Sequence, residues 1–161
     1  MRKLLYTAAL LLMGVAYGQS EFVATIGHLQ GKEFIGDDIK NGHVASLGAN
    51  LDLFGKKGFD FGPSLRIDHM SDLRSDIELI QSETVGFAGL NLGFNSDKVA
   101  FKATYQVPVL DEDLLFKSMT SGKLTFKNKK GNGFNVGVDY YFNRHIFHYT
   151  YSLNAGISIK L

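Results

Sequence analysis

The C-terminal stretch His145-Ile-Phe-His-Tyr-Thr-Tyr-Ser-Leu-Asn-Ala-Gly-Ile-Ser-Ile-Lys-Leu161 separates into two alternating sets of residues. Phe147, Tyr149, Tyr151, Leu153, Ala155, Ile157, Ile159 and Leu161 form one; His148, Thr150, Ser152, Asn154, Gly156, Ser158 and Lys160 form the other. Side chains alternate sides along a strand, so this is a β-strand with one wholly apolar face. It exceeds the ~5–6 residues usual for a globular strand. It matches the roughly 9–11 residues with which a strand crosses a bilayer.

Working outward, the same period of two recurs seven times. It predicts strands over Glu21–Leu29, Val44–Leu53, Phe59–Asp68, a stretch ending at Phe94, Val99–Val107, Leu115–Lys127 and Phe134–Phe142. Long polar segments at 30–41 and 69–82 read as loops, as does 108–113. Gly55–Gly58, Asn95–Lys98 and Asn128–Asn132 read as short turns. Pro63 removes one backbone donor and predicts an irregular ladder. Val85 and Phe87 fall out of phase with Ala88, Leu90, Leu92 and Phe94, which predicts a bulge or a shifted start. Asn143-Arg144 reads as a two-residue hairpin turn, with Phe142 opposite His145.

The N-terminus is set apart from these strands. Arg2 and Lys3 precede an apolar core over Leu4–Val15, and Ala16-Tyr17-Gly18 offers small residues where a signal peptidase reads. Residues 1–18 are therefore expected to be a secretory signal peptide and 19–161 one domain. The apolar core falls short of the ~20 residues a spanning helix needs. Loss of Arg2 and Lys3 takes the formal charge from +1 to −1. That near-neutral balance gives no argument for nucleic acid. Absence of cysteine excludes disulfides and thiolate metal sites, and no cofactor is expected.

Alternation alone leaves open whether the apolar face points in, as in a secreted soluble ligand-binding barrel, or out, as in a membrane barrel. Three features favour lipid. The apolar phase of the second, third, fifth and seventh strands carries no charge. Aromatics gather towards strand ends: Phe59, Phe61, Phe94 and Phe134 at one rim, Tyr105, Tyr140, Phe142, Phe147, Tyr149 and Tyr151 at the other, with Phe101 between. Such rims are the girdles of a membrane barrel. The opposite face is rich in Gly, Ser, Thr and Asn and suits a polar lumen.

The residues Asn154-x-Gly156-x-x-Ile159-x-Leu161 resemble the C-terminal sorting signal of bacterial outer-membrane β-barrels, with Leu161 where an aromatic is usual. With the leader and eight candidate strands, the whole mature chain resembles the small eight-stranded outer-membrane barrels. The resemblance implies an all-β, antiparallel up-and-down transmembrane barrel in the outer membrane of a Gram-negative envelope. It also implies contact with outer-membrane lipid and lipopolysaccharide, and recognition of the C-terminal signal by the barrel-assembly machinery.

Asp52, Arg66, Asp68, Lys102 and Asp139 fall on the polar phase and are expected to form an ion-pair network inside the lumen. Its role is either a plug that rigidifies the barrel or an ion path. His148, Thr150 and Ser152 share the polar phase of the last strand. They bear a partial likeness to the His-x-Ser-Asn of lipid A deacylase barrels, with Thr150 in place of Ser and Tyr151 in place of Asn. The leading expectation is a non-enzymatic barrel that serves surface interaction, adhesion or envelope stability, with its surface partner unspecified. A lipid A-modifying barrel enzyme is the alternative. Acidic residues in the long segments, among them Asp37, Asp38, Glu78 and Asp111–Asp113, are expected at the outer rim; Lys56, Lys57, Lys98 and Lys127–Lys130 are expected at the other.

Overall fold

In the computed structural model, which describes residues 20–33, 39–52, 58–71, 82–110, 116–143 and 147–160, eight strands close into a barrel. They are β1 (Ser20–Glu33), β2 (Ile39–Leu51), β3 (Gly58–Ser71), β4 (Ser82–Asn95), β5 (Val99–Leu110), β6 (Phe116–Lys127), β7 (Gly133–Asn143) and β8 (Phe147–Lys160). Each pairs antiparallel with its sequence neighbours, and β8 pairs back onto β1 from Lys160–Glu21 to Tyr149–Lys32. The leader expected at 1–18, the tips of the long segments, Lys56, Lys57 and Leu161 lie outside the described residues.

The apolar phase faces outward. Ile26, Leu47, Leu90, Val138, Leu153 and Ile157 are exposed. Asp68, Asn91, Asn135, Thr150 and Ser152 are buried on the lumen side. This inside-out arrangement overturns the soluble ligand-binding alternative, which requires the apolar face to be the interior. Of the aromatics expected to face lipid, Phe59, Phe94, Phe101, Tyr105, Phe134, Tyr140 and Phe142 are exposed, and Phe61, Tyr149 and Tyr151 are half-exposed. The side chain of Phe147 lies outside the described set.

The strands are longer than the pattern predicts. β1 runs to Glu33 and β2 starts at Ile39, so most of the expected 30–41 loop is strand. Polar residues that project beyond the apolar band carry no alternation to read, yet their backbone still pairs. The expected turn at Asn143-Arg144 is corrected as well. Tyr140 pairs with Tyr151 and Tyr141 with Thr150. A two-residue hairpin would place Tyr140 opposite Phe147 instead. The offset is even, so every side chain keeps its expected face.

Val85 and Phe87 do not mark a shifted start. They alternate regularly and face the lumen, and the register irregularity lies where Gly86 pairs with Leu110 but Phe87 with Pro108. A second irregularity, between Phe116 and Ser118, turns Phe116 inward. Leu29, Val44, Met70, Val85, Phe87, Phe116, Met119 and Tyr141 thus form one buried apolar cluster under the long-loop end. Its rings meet at 5.4 Å for Phe116–Tyr141 and 6.2 Å for Phe87–Phe116. The interior is therefore polar for most of its length and apolar at one end, a correction to the uniformly polar lumen expected from sequence.

At the other end, the β2–β3 ladder stops at Asn50–Ser64, beside Pro63 with its missing N–H. Leu51, expected on the lipid face, is buried. Asn91 closes this gap by donating Nδ2–H to the carbonyls of Gly62 and Pro63 at 3.0 Å. The turn after β6 depends on Gly131, whose φ of +86° favours glycine.

Leu47 lies within the apolar band and Ser46 beside it points inward. We expect Leu47→Arg to lower folding stability in vesicles by roughly 2–4 kcal/mol, the cost of a cation near mid-membrane. Urea titration in lipid vesicles measures it, with Leu47→Phe as the near-neutral control. A lipid-phase quencher should reach a label at 47 and not one at 46.

Candidate functional site

Eight strands leave an interior just wide enough for side chains. Charges that point inward must therefore find partners inside the protein. The five expected network residues fall into two separate groups.

The first is centred on Arg66 of β3. Its Nε donates to Asp68 Oδ1 at 2.5 Å, and its Nη2 donates across the lumen to Asp139 Oδ2 of β7, also at 2.5 Å. The same Nη2 reaches Ser46 Oγ at 2.8 Å. Tyr141 donates its hydroxyl to the second oxygen of Asp68 at 2.8 Å, and Asn154 donates Nδ2–H to Asp139 at 2.8 Å. Ser152 adds a longer contact to Asp139 at 3.3 Å. One guanidinium is thus shared by two carboxylates, each held by further donors. The Tyr141 ring belongs to the apolar cluster above, so its hydroxyl joins that cluster to the ion pairs.

The second group lies nearer the short turns. Lys102 of β5 bonds Asp52 at 2.9 Å and Glu21 of β1 at 2.8 Å. Asp52 sits just past the end of β2, where burial raises its carboxyl above the usual range against the pull of Lys102. A relay of neutral groups runs on from Glu21. Asn50 donates to it at 3.4 Å, Ser64 donates to Asn50 at 2.8 Å, and Gln106 donates to Ser64 at 2.9 Å.

Between the groups is a polar space of about 20 Å³, room for a single water. Thr25, Arg66 and Gln106 border it, and each keeps a buried polar atom without a protein partner. Lys123 borders it too. Sequence reasoning missed Glu21 and Lys123 as members of this interior; Tyr141 falls on the polar phase of its strand, but its bond to Asp68 is not legible from alternation. Glu21 opens its strand, and Lys123 alternates with Leu124 in the least regular strand; reading strict alternation through both would have found them.

Thr150 and Ser152 face the lumen and are fully buried. The side chain of His148 lies outside the described residues. Of the C-terminal signal, Asn154 and Gly156 point inward, Ile159 is exposed to the outside, and Leu161 is not described. Gly156 has a packing reason of its own: a Cβ there would lie 1.9 Å from the carbonyl oxygen of Ala24 on β1.

An inside-out, closed, eight-stranded antiparallel barrel with a filled interior is the architecture of the small outer-membrane barrels. The chain is similar to Neisserial surface protein A (NspA), with 11% identity, 88% of this chain and 97% of that chain covered, and a TM-score of 0.60. It is also similar to Ail, the attachment invasion locus protein of Yersinia pestis, with 13% identity, 88% and 99% covered, and a TM-score of 0.50. No protein-family model matches the sequence. No curated protein matches it with significance.

Arg66→Met should destabilise the barrel by about 3–5 kcal/mol, because Asp68 and Asp139 then stay buried without their cation. Tyr141→Phe should cost about 1.5–3 kcal/mol for the lost bond to a carboxylate. Urea titrations in vesicles measure both. Gly156→Ala should slow or weaken refolding of the purified chain by about 1–3 kcal/mol through overpacking against β1. That experiment contains no assembly machinery, so a loss there belongs to packing and not to signal recognition.

Proposed function

We propose that the chain is exported by a cleaved leader at 1–18 and resides in the outer membrane as a non-enzymatic barrel with its long loops at the cell surface. Its work would be surface interaction, adhesion or envelope stability, done by the loops and the lipid-facing wall while the lumen only braces them. The observation that carries this reading is the stoppered interior. An Arg66–Asp68–Asp139 bridge spans the lumen, and an apolar cluster closes it on the long-loop side. Such an interior supports a scaffold better than a pore. Asn154, Gly156, Ile159 and Leu161 would serve the barrel-assembly machinery during insertion, and lipopolysaccharide would surround the outer rim.

A lipid A-modifying enzyme would need its nucleophile within reach of lipid. Thr150 and Ser152 turn the other way, and Asp139 already accepts the Ser152 hydroxyl. This favours the non-enzymatic reading.

In planar bilayers the folded protein should give no large, stable channel. Reproducible conductance on the scale of general porins would overturn the reading and make Arg66, Lys102 and Asp139 pore residues. Lipid A from cells with and without the protein should have the same mass spectrum; a difference would restore the enzyme.

A further inference from the structure

Where β1 and β2 leave the apolar band on the long-loop side, four outward side chains form a square. His28 and Gln30 stand on β1, His43 and Asn41 on β2, on the face that carries Ile26 and Leu47. The register pairs His28 with His43 and Gln30 with Asn41. His28, His43 and Asn41 are exposed. Neither the closure of the barrel nor the bracing of its lumen uses these groups.

The two imidazoles meet across the ladder with ring centroids 6.0 Å apart and planes at 63°. Two imidazoles on one tetrahedral metal ion have centroids about 5 Å apart, because each metal–nitrogen bond is about 2.0–2.1 Å long. Exposed side chains change rotamer in picoseconds to nanoseconds, so side-chain rotation alone can close that difference. His43 makes no hydrogen bond among the described residues, so its ring turns without losing a partner.

An oxygen ligand is already in place. His28 Nε2 lies 3.2 Å from Asn41 Oδ1. Neighbouring ligands on one ion stand about 2.9–3.4 Å apart at such bond lengths, so this nitrogen and this oxygen have ligand spacing. The oxygen is aimed from behind. Tyr151 of β8 donates its hydroxyl to Gln30 Oε1, which leaves Gln30 Nε2 to donate to Asn41 Oδ1 at 3.0 Å. Outer hydrogen bonds of this kind orient the ligands of metal sites.

In the metal-free barrel the His28 N–H fills the space between Nε2 and Oδ1. A neutral hydrogen bond contributes only about 0.5–1.5 kcal/mol net, so an ion that takes its place displaces little. The ring then carries its proton on Nδ1, and no net proton is released. The square holds no carboxylate, and among the described residues no group of three His, Cys, Asp or Glu side chains is placed to hold an ion. The donor set is therefore two imidazole nitrogens and one amide oxygen, with water in the remaining positions. Imidazole suits zinc and copper, whereas magnesium and calcium take oxygen ligands.

We propose that His28, His43 and Asn41 form a surface site for a divalent ion of the zinc class, which clamps β1 to β2 above the apolar band. An ion that binds the folded barrel and not the unfolded chain stabilises it by mass action. His69 pairs with Ala45 and so is the diagonal neighbour of His43 on this face. Its Nδ1 is engaged by Thr84 at 3.0 Å, and it stands outside the site.

The test uses the untagged mature barrel in phosphatidylcholine nanodiscs, titrated with Zn²⁺ alone and separately with Mg²⁺, with empty nanodiscs as the blank. Calorimetry gives the affinity, and the imidazole Cε1–H NMR signals of His28, His43 and His69 give the place. The expected result is one saturable Zn²⁺ per barrel, a joint shift of His28 and His43, and no response to Mg²⁺. His28→Gln and His43→Gln should each weaken binding about tenfold or more, and Asn41→Leu by less, while His69→Gln leaves it within about twofold. Zn²⁺ should raise the thermal midpoint of the native barrel and not that of His43→Gln. All four positions are exposed, and faster gel migration of unboiled samples checks that each variant is folded. No saturable Zn²⁺ binding, an equal response to Mg²⁺, or an affinity unmoved by His43→Gln would overturn the proposal. So would a His69→Gln loss as large as that of His43→Gln.

Discussion

The pairing of β8 with β1 is the constraint on which the other features depend. Hydrocarbon offers no water to an unpaired N–H or C=O, so a sheet can cross a membrane only if it has no edges. Here the two terminal strands meet and remove the last pair of edges. Their backbones come so close that the Ala24 carbonyl occupies the place a Cβ on residue 156 would take. Closure with eight strands then fixes a narrow lumen. A narrow lumen admits little water, and scarce water obliges the interior charges to satisfy one another.

That obligation is met by bracing across the barrel. Arg66 and Asp139 are separated by 73 positions in sequence and by the width of the lumen in space, yet they bond directly. Lys102 does the same for β1 and the end of β2. Burying such groups has a desolvation cost that an apolar filling would avoid. What charges add is direction: each pair joins particular strands, and a slip of one residue would turn every member outward into lipid. The apolar side chains of the outer wall carry no comparable information, because lipid receives them in any register.

Much of this was legible in the sequence because the membrane imposes a period of two over long stretches. The strand order and the polar phase holding Arg66, Lys102 and Asp139 follow from alternation, and the outward direction of the apolar phase follows from its lack of charge and its aromatic rims. It fails where the lipid constraint stops acting. Beyond the band, at Gln30–Glu33 and Ile39–Asn41, residues on both faces are largely polar, so paired strand looks like loop. Inside the long-loop end, Val85, Phe87 and Met70 are apolar although they face inward, and Phe116 arrives there through an irregularity that no local pattern announces. The hairpin length at Asn143-Arg144 was misread because an even offset leaves every face unchanged, and faces are all that alternation reports. The neighbourhood of His28, His43 and His69 on the outer wall escaped for another reason: they are far apart in sequence and meet only through the β1–β2 and β2–β3 register.

The position of the apolar cluster gives the barrel an inner polarity. Leu29, Met70, Phe87 and Phe116 lie between the long-loop end and Arg66, while mostly polar side chains separate Arg66 from the short-turn end. Dissolved ions on the long-loop side therefore meet a greasy stopper before they meet the guanidinium. Screening acts only where counter-ions can approach within roughly a Debye length through solvent, about 8–10 Å at ordinary ionic strength. The Arg66–Asp139 brace is thus insulated from the salinity of the medium that bathes the long loops, and a change of ionic strength on that side acts on the loops while leaving the frame beneath them unaltered.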